Sequence, residues 1–177
     1  MPLASSCPRD GTVTKVVPQI SLCLIGMSLL FALATSLANA ETAACTDKAL
    51  PLETPGNDKA QMQTLIMQGV DCARGGKPEK AITLFSEVIK RDPTNSVAYL
   101  NRGSTEASLG EVGLAVDDYT AAISLQPNFV EAWYDRGTTF AHMRRFERAI
   151  VDFTETIRLK PDFALALCNR EHSQISS

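Results

Sequence analysis

The chain has 177 residues, enough for one ordinary domain preceded by a leader. Its 17 basic and 20 acidic residues give a net charge of -3, and no stretch of the sequence is polybasic. Nucleic acid is therefore not an expected partner, because binding to a phosphate backbone depends on clustered lysine and arginine.

Residues 1–40 have the parts of a secretory signal peptide. Arg9 and Lys15 precede an apolar run over residues 20–40, and this run ends in Ala-Asn-Ala. Cleavage is expected after Ala40, which predicts a periplasmic or secreted protein. The alternative is an uncleaved membrane anchor, since a bilayer is spanned by roughly 20 apolar residues. Contact with a membrane is expected only in that case.

Three cysteines follow this leader: Cys45, Cys72 and Cys168. An oxidising compartment permits a disulfide, and Cys45 with Cys72 is the natural pair because both lie near the start of the mature chain. A buried thiol at Cys72 is favoured over this bridge, because the residue falls on a helix face where a small apolar side chain packs well. No CxxC motif or Cys/His cluster occurs, so no metal and no other cofactor is expected.

Residues 41–61 are rich in proline, threonine, glycine and charge, which predicts a poorly ordered linker. A helix can begin near the end of this segment, at Asn57 or Asp58. Either side chain can accept a hydrogen bond from the free N–H groups of a first helical turn.

A pattern with a period of 34 residues follows, anchored on Gly69, Gly103 and Gly137. An apolar residue precedes each glycine by four positions, and an alanine, an aromatic residue and a proline follow it by 12, 16 and 24 positions. A period of this length predicts stacked helical units. The positions are Leu65, Tyr99 and Trp133; Ala81, Ala115 and Ala149; Phe85, Tyr119 and Phe153; and Pro93, Pro127 and Pro161.

The spacings within one unit predict a helical hairpin. Tyr99, Gly103 and Glu106 share one face of a first helix, and Ala115 and Tyr119 share one face of a second. The glycine and the alanine are small because the two helices are expected to cross closely there. The proline ends the second helix, because it has no N–H to donate and disfavours helical conformation in the residue before it. The predicted fold class is all-α.

This pattern resembles the tetratricopeptide repeat. The resemblance implies an α-solenoid of three helical hairpins, at residues 62–95, 96–129 and 130–163. The first copy departs most from the family pattern, because Leu65 and Cys72 replace two of the usual aromatic residues.

A damaged fourth copy of the pattern lies in residues 164–177, where Glu171 replaces the glycine. We predict a capping helix from Ala164 to about residue 173 that covers the last repeat with Leu165 or Leu167. Asn169, Glu171 and His172 are expected to face water. The other interpretation of this segment is a truncated fourth repeat.

Two pairs of opposite charges also repeat. Arg102 precedes Asp118 by 16 residues, as Arg136 precedes Asp152, whereas the first repeat has glutamine and leucine at these positions. Because the charges vanish together, we predict an ion pair between the two helices of the second and third repeats. The alternative is that the charges are solvated and recur only through duplication.

The resemblance implies that the first helices line a concave face and that this face holds a peptide or a helix of a partner protein. The expected groove residues are Gln63, Ile66 and Val70; Val97, Leu100, Asn101 and Ser104; and Glu131, Tyr134, Asp135, Thr138 and His142.

One branch of the family clamps the terminal carboxylate of its partner with lysine, arginine and asparagine. Asn101 fits such a clamp, but Ile66, Val70, Glu131 and Asp135 stand where the other polar and basic groups are needed. Two carboxylates repel an anionic ligand. The acidic residues either favour a ligand with lysine or arginine, or they are simply solvated.

No catalytic residues are predicted. His142 and His172 are isolated, and the serines lack a G-x-S-x-G turn. The expected function is therefore that of a non-enzymatic interaction scaffold or adaptor of the bacterial cell envelope. The alternatives are a self-associating structural protein and an assembly subunit of an envelope enzyme complex.

Overall fold

The computed structural model describes residues 58–177, and this part of the chain consists of seven α-helices without a strand. The predicted all-α class is confirmed. The first helix begins at Asp58, one of the two expected starts, and the carboxylate of this residue lies in the first turn. The predicted linker bound of residue 61 is therefore too late, since residues 58–61 are helical. The helices are α1 (Asp58–Arg74), α2 (Pro78–Arg91), α3 (Ser96–Ser108), α4 (Val112–Leu125), α5 (Val130–His142), α6 (Phe146–Leu159) and α7 (Ala164–Ser176).

The predicted leader, its cleavage site and the linker up to residue 57 lie outside the described residues. Within residues 58–177, no helix combines the length and the apolar character that a membrane-spanning segment needs.

The helices stack in hairpins, α1 with α2, α3 with α4 and α5 with α6, and α7 packs on α6. Each first helix also contacts the next first helix, in the order α1, α3, α5, α7. The second helices α2, α4 and α6 do not contact one another. The first helices therefore lie closer together and form the inner, concave side of the α-solenoid.

Each hydrophobic core is closed by the next repeat. The core of the first hairpin includes Ala98 of α3, and the cores of the second and third hairpins include Ala132 of α5 and Ala166 of α7. No hairpin buries its apolar face alone, as expected for stacked units. The predicted core residues of the second helices are buried: Ala81, Ala115, Ala149, Phe85, Tyr119 and Phe153.

The repeated spacing of the glycines reflects close contact between the two helices of a hairpin. A β-carbon added to Gly103 would lie 3.1 Å from Cβ of Asp118 and 3.1 Å from the ring of Tyr119. At Gly137 the corresponding distances to Asp152 and Phe153 are both 3.0 Å. At Gly69 the added atom would lie only 2.5 Å from the ring of Phe85. The predicted close crossing is confirmed in all three hairpins.

The prolines end the second helices as predicted. Pro93, Pro127 and Pro161 each follow the residue that terminates α2, α4 or α6. These terminal residues have φ between -133° and -139° and ψ between 85° and 89°, an extended conformation that a following proline favours. The backbone N–H of each still donates to the last helical turn, so the helix end loses no hydrogen bond there.

The turns within the hairpins require a left-handed backbone residue. Gly76 and Gly110 supply it in the first two hairpins, with φ of 75° and 82°. Arg144 occupies the same place in the third hairpin, with φ of 57°. A side chain is strained in this region by about 1–2 kcal/mol, so the third turn is formed at a conformational cost.

The last helix forms as predicted, but the residues predicted to pack against the last repeat were wrong. Leu165 and Leu167 are 57% and 38% exposed, whereas Ala166 and Ser173 are fully buried. The reason is the register, because Ala166 repeats the place of Ala98 and Ala132 against the preceding second helix. Glu171 and His172 are exposed as expected, but Asn169 is half-buried.

The favoured thiol at Cys72 was also wrong. Cys72 is fully buried, as its position on α1 predicts, but both Cys72 and Cys168 are disulfide-bonded. Cys45, the partner considered for Cys72, lies outside the described residues.

The close crossing predicts opposite effects for the same substitution at two helical glycines. Gly137→Ala is expected to lower the free energy of unfolding by about 1–3 kcal/mol, because the added methyl group would lie 3.0 Å from Cβ of Asp152 and from the ring of Phe153, and α6 must shift to relieve the contact. Gly113→Ala in α4 is expected to raise it by about 0.5–1 kcal/mol, because nothing lies within 4 Å of the added atom and alanine favours a helix. Urea unfolding followed by circular dichroism measures both. Equal effects at the two sites would contradict the packing argument.

Candidate functional site: the concave face of the first helices

The concave face is formed by side chains of α1, α3, α5 and α7, and the predicted groove residues divide into three groups on it. One group is open to solvent and available to a ligand. Its members are Gln63, Val97, Ser104, Glu131 and His142. A second group, Val70, Leu100, Asn101, Tyr134, Asp135 and Thr138, is half-buried. The third group consists of Ile66 alone.

Ile66 is a core residue and not a groove residue. It is only 6% exposed and packs in the first core with Leu65 and Phe85. Its neighbour Met67 is 60% exposed and was missed. Met67 precedes Asn101 and Asp135 by one and two repeat lengths. Because those two residues were predicted to line the groove, the 34-residue period also predicts Met67 there.

The half-buried apolar residues serve the core as well as the face. Leu100 packs against the core of the second hairpin. The ring of Tyr134 lies 4.8 Å from the ring of Phe163 and 5.9 Å from that of Phe153. Its hydroxyl accepts a hydrogen bond from Asn169 Nδ2 at 3.1 Å, which ties α5 to α7. Tyr134 therefore stabilises the stack in addition to lining the face.

Asp135 belongs to a polar chain that crosses from α4 to α5. Tyr119 Oη donates to Ser104 Oγ at 3.3 Å, and Ser104 Oγ donates to Asp135 Oδ2 at 3.4 Å. Burial raises the pKa of Asp135 to about 6, and the nearby charge of Glu131 also raises it, against the lowering effect of the Ser104 hydrogen bond. The carboxylate is thus held in place and is ready to gain stability from a positive charge.

The predicted ion pairs are present, and both are bidentate. Arg102 Nε and Nη2 donate to the two carboxylate oxygens of Asp118 at 2.7 and 2.8 Å. Arg136 Nε and Nη2 donate to those of Asp152, both at 2.9 Å. The aspartates are buried, so these pairs are fixed parts of the hairpins and not solvated surface charges.

Each arginine makes a further bond that the sequence analysis missed. Arg102 Nη1 donates to Ser86 Oγ on α2, and Arg136 Nη1 donates to Thr120 Oγ1 on α4, both at 3.0 Å. These acceptors belong to the preceding repeat. One guanidinium therefore joins the two helices of its own hairpin to the second helix of the hairpin before it. The sequence feature that could have predicted these hydrogen bonds is a serine or threonine 16 positions before each arginine.

Glu106 is a buried acid, and only one of its two carboxylate oxygens has a partner. Its Oε1 lies 3.9 Å from Arg102 Nε, while its Oε2 is shielded from solvent and has no hydrogen-bond partner. Burial, followed by the charge of Asp118, raises the pKa of Glu106 to about 7, although Arg102 lowers it. Phe140 occupies the corresponding place in the third repeat, which shows that an apolar side chain fits there.

Among residues 58–177 no three His, Cys, Asp or Glu side chains are grouped closely enough to hold a metal ion. His142 and His172 are both exposed and lie on different helices. The concave face of the described residues carries polar groups that are fixed by hydrogen bonds, among them Asp135 and Asn169.

Comparison with protein families supports the interpretation of the period. Two family models, both described as tetratricopeptide repeat, match residues 66–128 and 118–151. Residues 66–151 therefore match tetratricopeptide repeats. A curated relative, small glutamine-rich tetratricopeptide repeat-containing protein 2 of Saccharomyces cerevisiae, is 37% identical over 70 residues. The match covers 40% of this chain and only 20% of the yeast protein.

Solved structures share the fold. A crystal structure of MamA has a TM-score of 0.67 at 26% identity, over 81% of this chain and 80% of that one. The first TPR domain of Spaghetti (RPAP3), bound to the HSP90 peptide SRMEEVD, has a TM-score of 0.64 at 23% identity. That match covers 66% of this chain and 93% of the other. At 23% identity, the similarity to the Spaghetti domain shows a shared fold only.

The ion pair of Arg136 with Asp152 predicts that a second substitution restores stability lost through a first. Asp152→Leu is expected to destabilise the protein by about 3–5 kcal/mol, because it leaves the Arg136 guanidinium without its carboxylate. Arg136→Gln combined with Asp152→Leu reproduces the pair found in the first repeat, Gln68 and Leu84, and is expected to recover at least half of this loss. The free energy of unfolding in urea measures the effect.

Glu155→Gln serves as the control, because it breaks an ion pair with the exposed Arg158 and is expected to cost less than about 1 kcal/mol. A double variant as unstable as Asp152→Leu would contradict the pairing.

The raised pKa of Glu106 predicts a pH-dependent stability. A carboxyl group whose pKa is higher in the folded state holds its proton longer there, so folding becomes less favourable as the pH rises from about 4.5 to about 7. Glu106→Gln removes this cost. The variant is expected to be more stable than the wild type by about 1–3 kcal/mol at pH 8, with a smaller gain at pH 5.

Thermal and urea unfolding across this pH range tests the prediction, with Glu147→Gln on the surface of α6 as the matched control. A Glu106→Gln variant that keeps the wild-type pH dependence would show that Glu106 is not the titrating group.

Proposed function

We propose that this protein is a non-enzymatic interaction scaffold of the bacterial cell envelope, which binds a peptide or a helix of a partner protein on the concave face. The observation that carries the proposal is the side-by-side contact of the first helices, which brings exposed side chains of separate repeats onto one surface. Open polar and apolar groups, including Met67, Val97 and Glu131, are available to a ligand there. A solved tetratricopeptide repeat domain with this fold holds the peptide SRMEEVD, which supports a peptide ligand for this fold.

The chemistry of the face favours a ligand with a positive charge. SRMEEVD is acidic, whereas this face presents the carboxylates of Glu131 and Asp135 one helical turn apart on α5. An acidic peptide would be repelled at this position, and a lysine or arginine would be attracted. Ser104 holds Asp135 in place before the ligand arrives, which reduces the ordering cost of binding.

Binding to such a ligand is expected to depend on pH. Because the pKa of Asp135 is raised to about 6, the carboxylate is largely neutral at pH 5 and charged at pH 7. Affinity for a lysine-containing peptide is therefore expected to increase between these pH values. Asp135→Asn is expected to weaken binding at pH 7 by about 3–10-fold and to abolish the pH dependence.

Two fluorescein-labelled peptide pools with identical apolar positions, one carrying lysine and the other glutamate at every third position, test this proposal by anisotropy. Asp117→Asn on the exposed side of α4 is the control, since it removes the same charge away from the concave face. Equal binding of both pools, or a loss of the same size in the control, would contradict a cationic ligand on this face.

The envelope location rests on the predicted leader and is tested separately. Cell fractionation followed by intact-mass measurement is expected to find a periplasmic or secreted species that begins at Glu41. A membrane-bound species that retains residues 20–40 would support the anchor instead, and a species with the intact leader in the cytoplasm would overturn the envelope proposal. Cross-linking of intact cells followed by mass spectrometry identifies the partner.

A further inference from the structure

The last helix, α7, has one face that no other described helix covers. In α3 this face carries Tyr99, Arg102, Gly103 and Glu106, and it packs against α4 of the same hairpin. The corresponding residues of α7 are Leu167, Arg170, Glu171 and Gln174. α7 contacts only α5 and α6 among the described helices, so no described helix packs on this face, which we call the end face. Leu167, Glu171 and Gln174 on it are exposed, and Arg170 is half-buried.

Arg170 on the end face lacks the partner that its equivalents have. Nε of Arg102 and of Arg136 donates to a carboxylate at 2.7 and 2.9 Å. Nε of Arg170 is shielded from solvent and has no hydrogen-bond partner. A shielded donor without an acceptor is unfavourable, and the two equivalent sites show that a carboxylate placed against this face satisfies it.

Glu171 restricts how another element can approach the end face. At the equivalent glycines a β-carbon would already lie 3.0–3.1 Å from the second helix. A helix cannot therefore approach α7 as closely as α4 approaches α3. The occupant must leave space for the Glu171 side chain and must offer that carboxylate a positive charge.

The end face is complementary to itself. Arg170 and Glu171 are adjacent, carry opposite charges and lie at the middle of the 13-residue helix. If a second α7 lies antiparallel to the first across a two-fold axis between these residues, each arginine meets a glutamate. The same rotation places Leu167 beside the aliphatic part of Gln174 of the partner subunit. A face that carries both charges at its centre is suited to a symmetric, isologous contact.

We propose that two copies of this protein associate through the end face, with α7 helices antiparallel and Arg170 of each copy paired with Glu171 of the partner subunit. This contact leaves the concave face of both copies free. It does not depend on the proposed function, because the groove residues and the end-face residues are different. A contact made by one short helix predicts a weak dimer with a dissociation constant in about the micromolar range.

Charge reversal tests the pairing on the full chain. Sedimentation velocity and native mass spectrometry are expected to show a dimer for the wild type. Arg170→Glu and Glu171→Arg each place like charges together, and each is expected to raise the dissociation constant by about 10-fold or more. The double reversal restores both pairs and is expected to restore the dimer. Glu79→Arg, on the exposed surface of α2, is the control and is expected to leave the dimer unchanged.

Mixing the two single variants gives the most specific result. A heterodimer of Arg170→Glu with Glu171→Arg pairs two glutamates with two arginines, so the mixture is expected to dimerise although neither variant does alone. Circular dichroism checks that each variant is folded. If a single variant unfolds, the dimerisation of the double reversal decides whether the two residues pair.

Three outcomes would overturn the proposal: a wild type that remains monomeric up to about 1 mM, a dimer that survives both single reversals, or a folded mixture that does not associate. A monomer that cross-links through α7 to a different protein would likewise show that another partner covers the end face.

Discussion

The two helices of each hairpin touch at a glycine, and the rest of the structure depends on that short distance. The contact at Gly69, Gly103 or Gly137 places the ring of Phe85, Tyr119 or Phe153 directly over the first helix. It also brings the aspartates of the second helix within reach of the arginines that precede the glycines. Where glutamate replaces the glycine, in α7, no described helix lies against the same face.

The main effect of the buried arginine–aspartate pairs is to orient the arginine side chains. A bidentate arginine–aspartate pair has a defined geometry, but its removal from water is costly, so the pairs of the second and third repeats add less stability than their number of bonds suggests. The first repeat folds with glutamine and leucine at the same positions. What the pair adds is direction, because the aspartate holds the guanidinium so that its remaining N–H group points toward the preceding repeat. Glu106 shows the opposite case, a buried acid whose second oxygen has no partner.

Much of the fold could be predicted because it follows from local spacing. The glycine contacts, the proline ends and the arginine–aspartate pairs each depend on positions within one hairpin, and the 34-residue period repeats these positions along the chain. The errors occurred where the neighbouring repeat decides the packing. Ala166, and not Leu165 or Leu167, faces the preceding helix because it repeats the register of Ala98 and Ala132, which are also fully buried. The same applies to the hydroxyl acceptors of the arginines, Ser86 and Thr120.

The concave face was predicted less completely than the fold. Ile66 and Met67 are adjacent and both apolar, so composition cannot separate them, and only the comparison with Asn101 and Asp135 shows which one faces outward. The link from Ser104 to Asp135 connects two repeats and has no counterpart in the first, where Val70 replaces the serine. Side chains that meet across a repeat boundary vary from one boundary to the next, and the repeat pattern does not specify them.

The three-way contact of each arginine couples neighbouring repeats. The guanidinium makes its full set of hydrogen bonds only when its own hairpin and the second helix of the preceding hairpin are both in place. Every core is likewise completed by the first helix that follows it. Opening of one hairpin removes both a core wall and a hydrogen bond from the hairpin before it. Adjacent repeats are in this way coupled in their fluctuations, and a disturbance at one end of the solenoid is transmitted along it one repeat at a time.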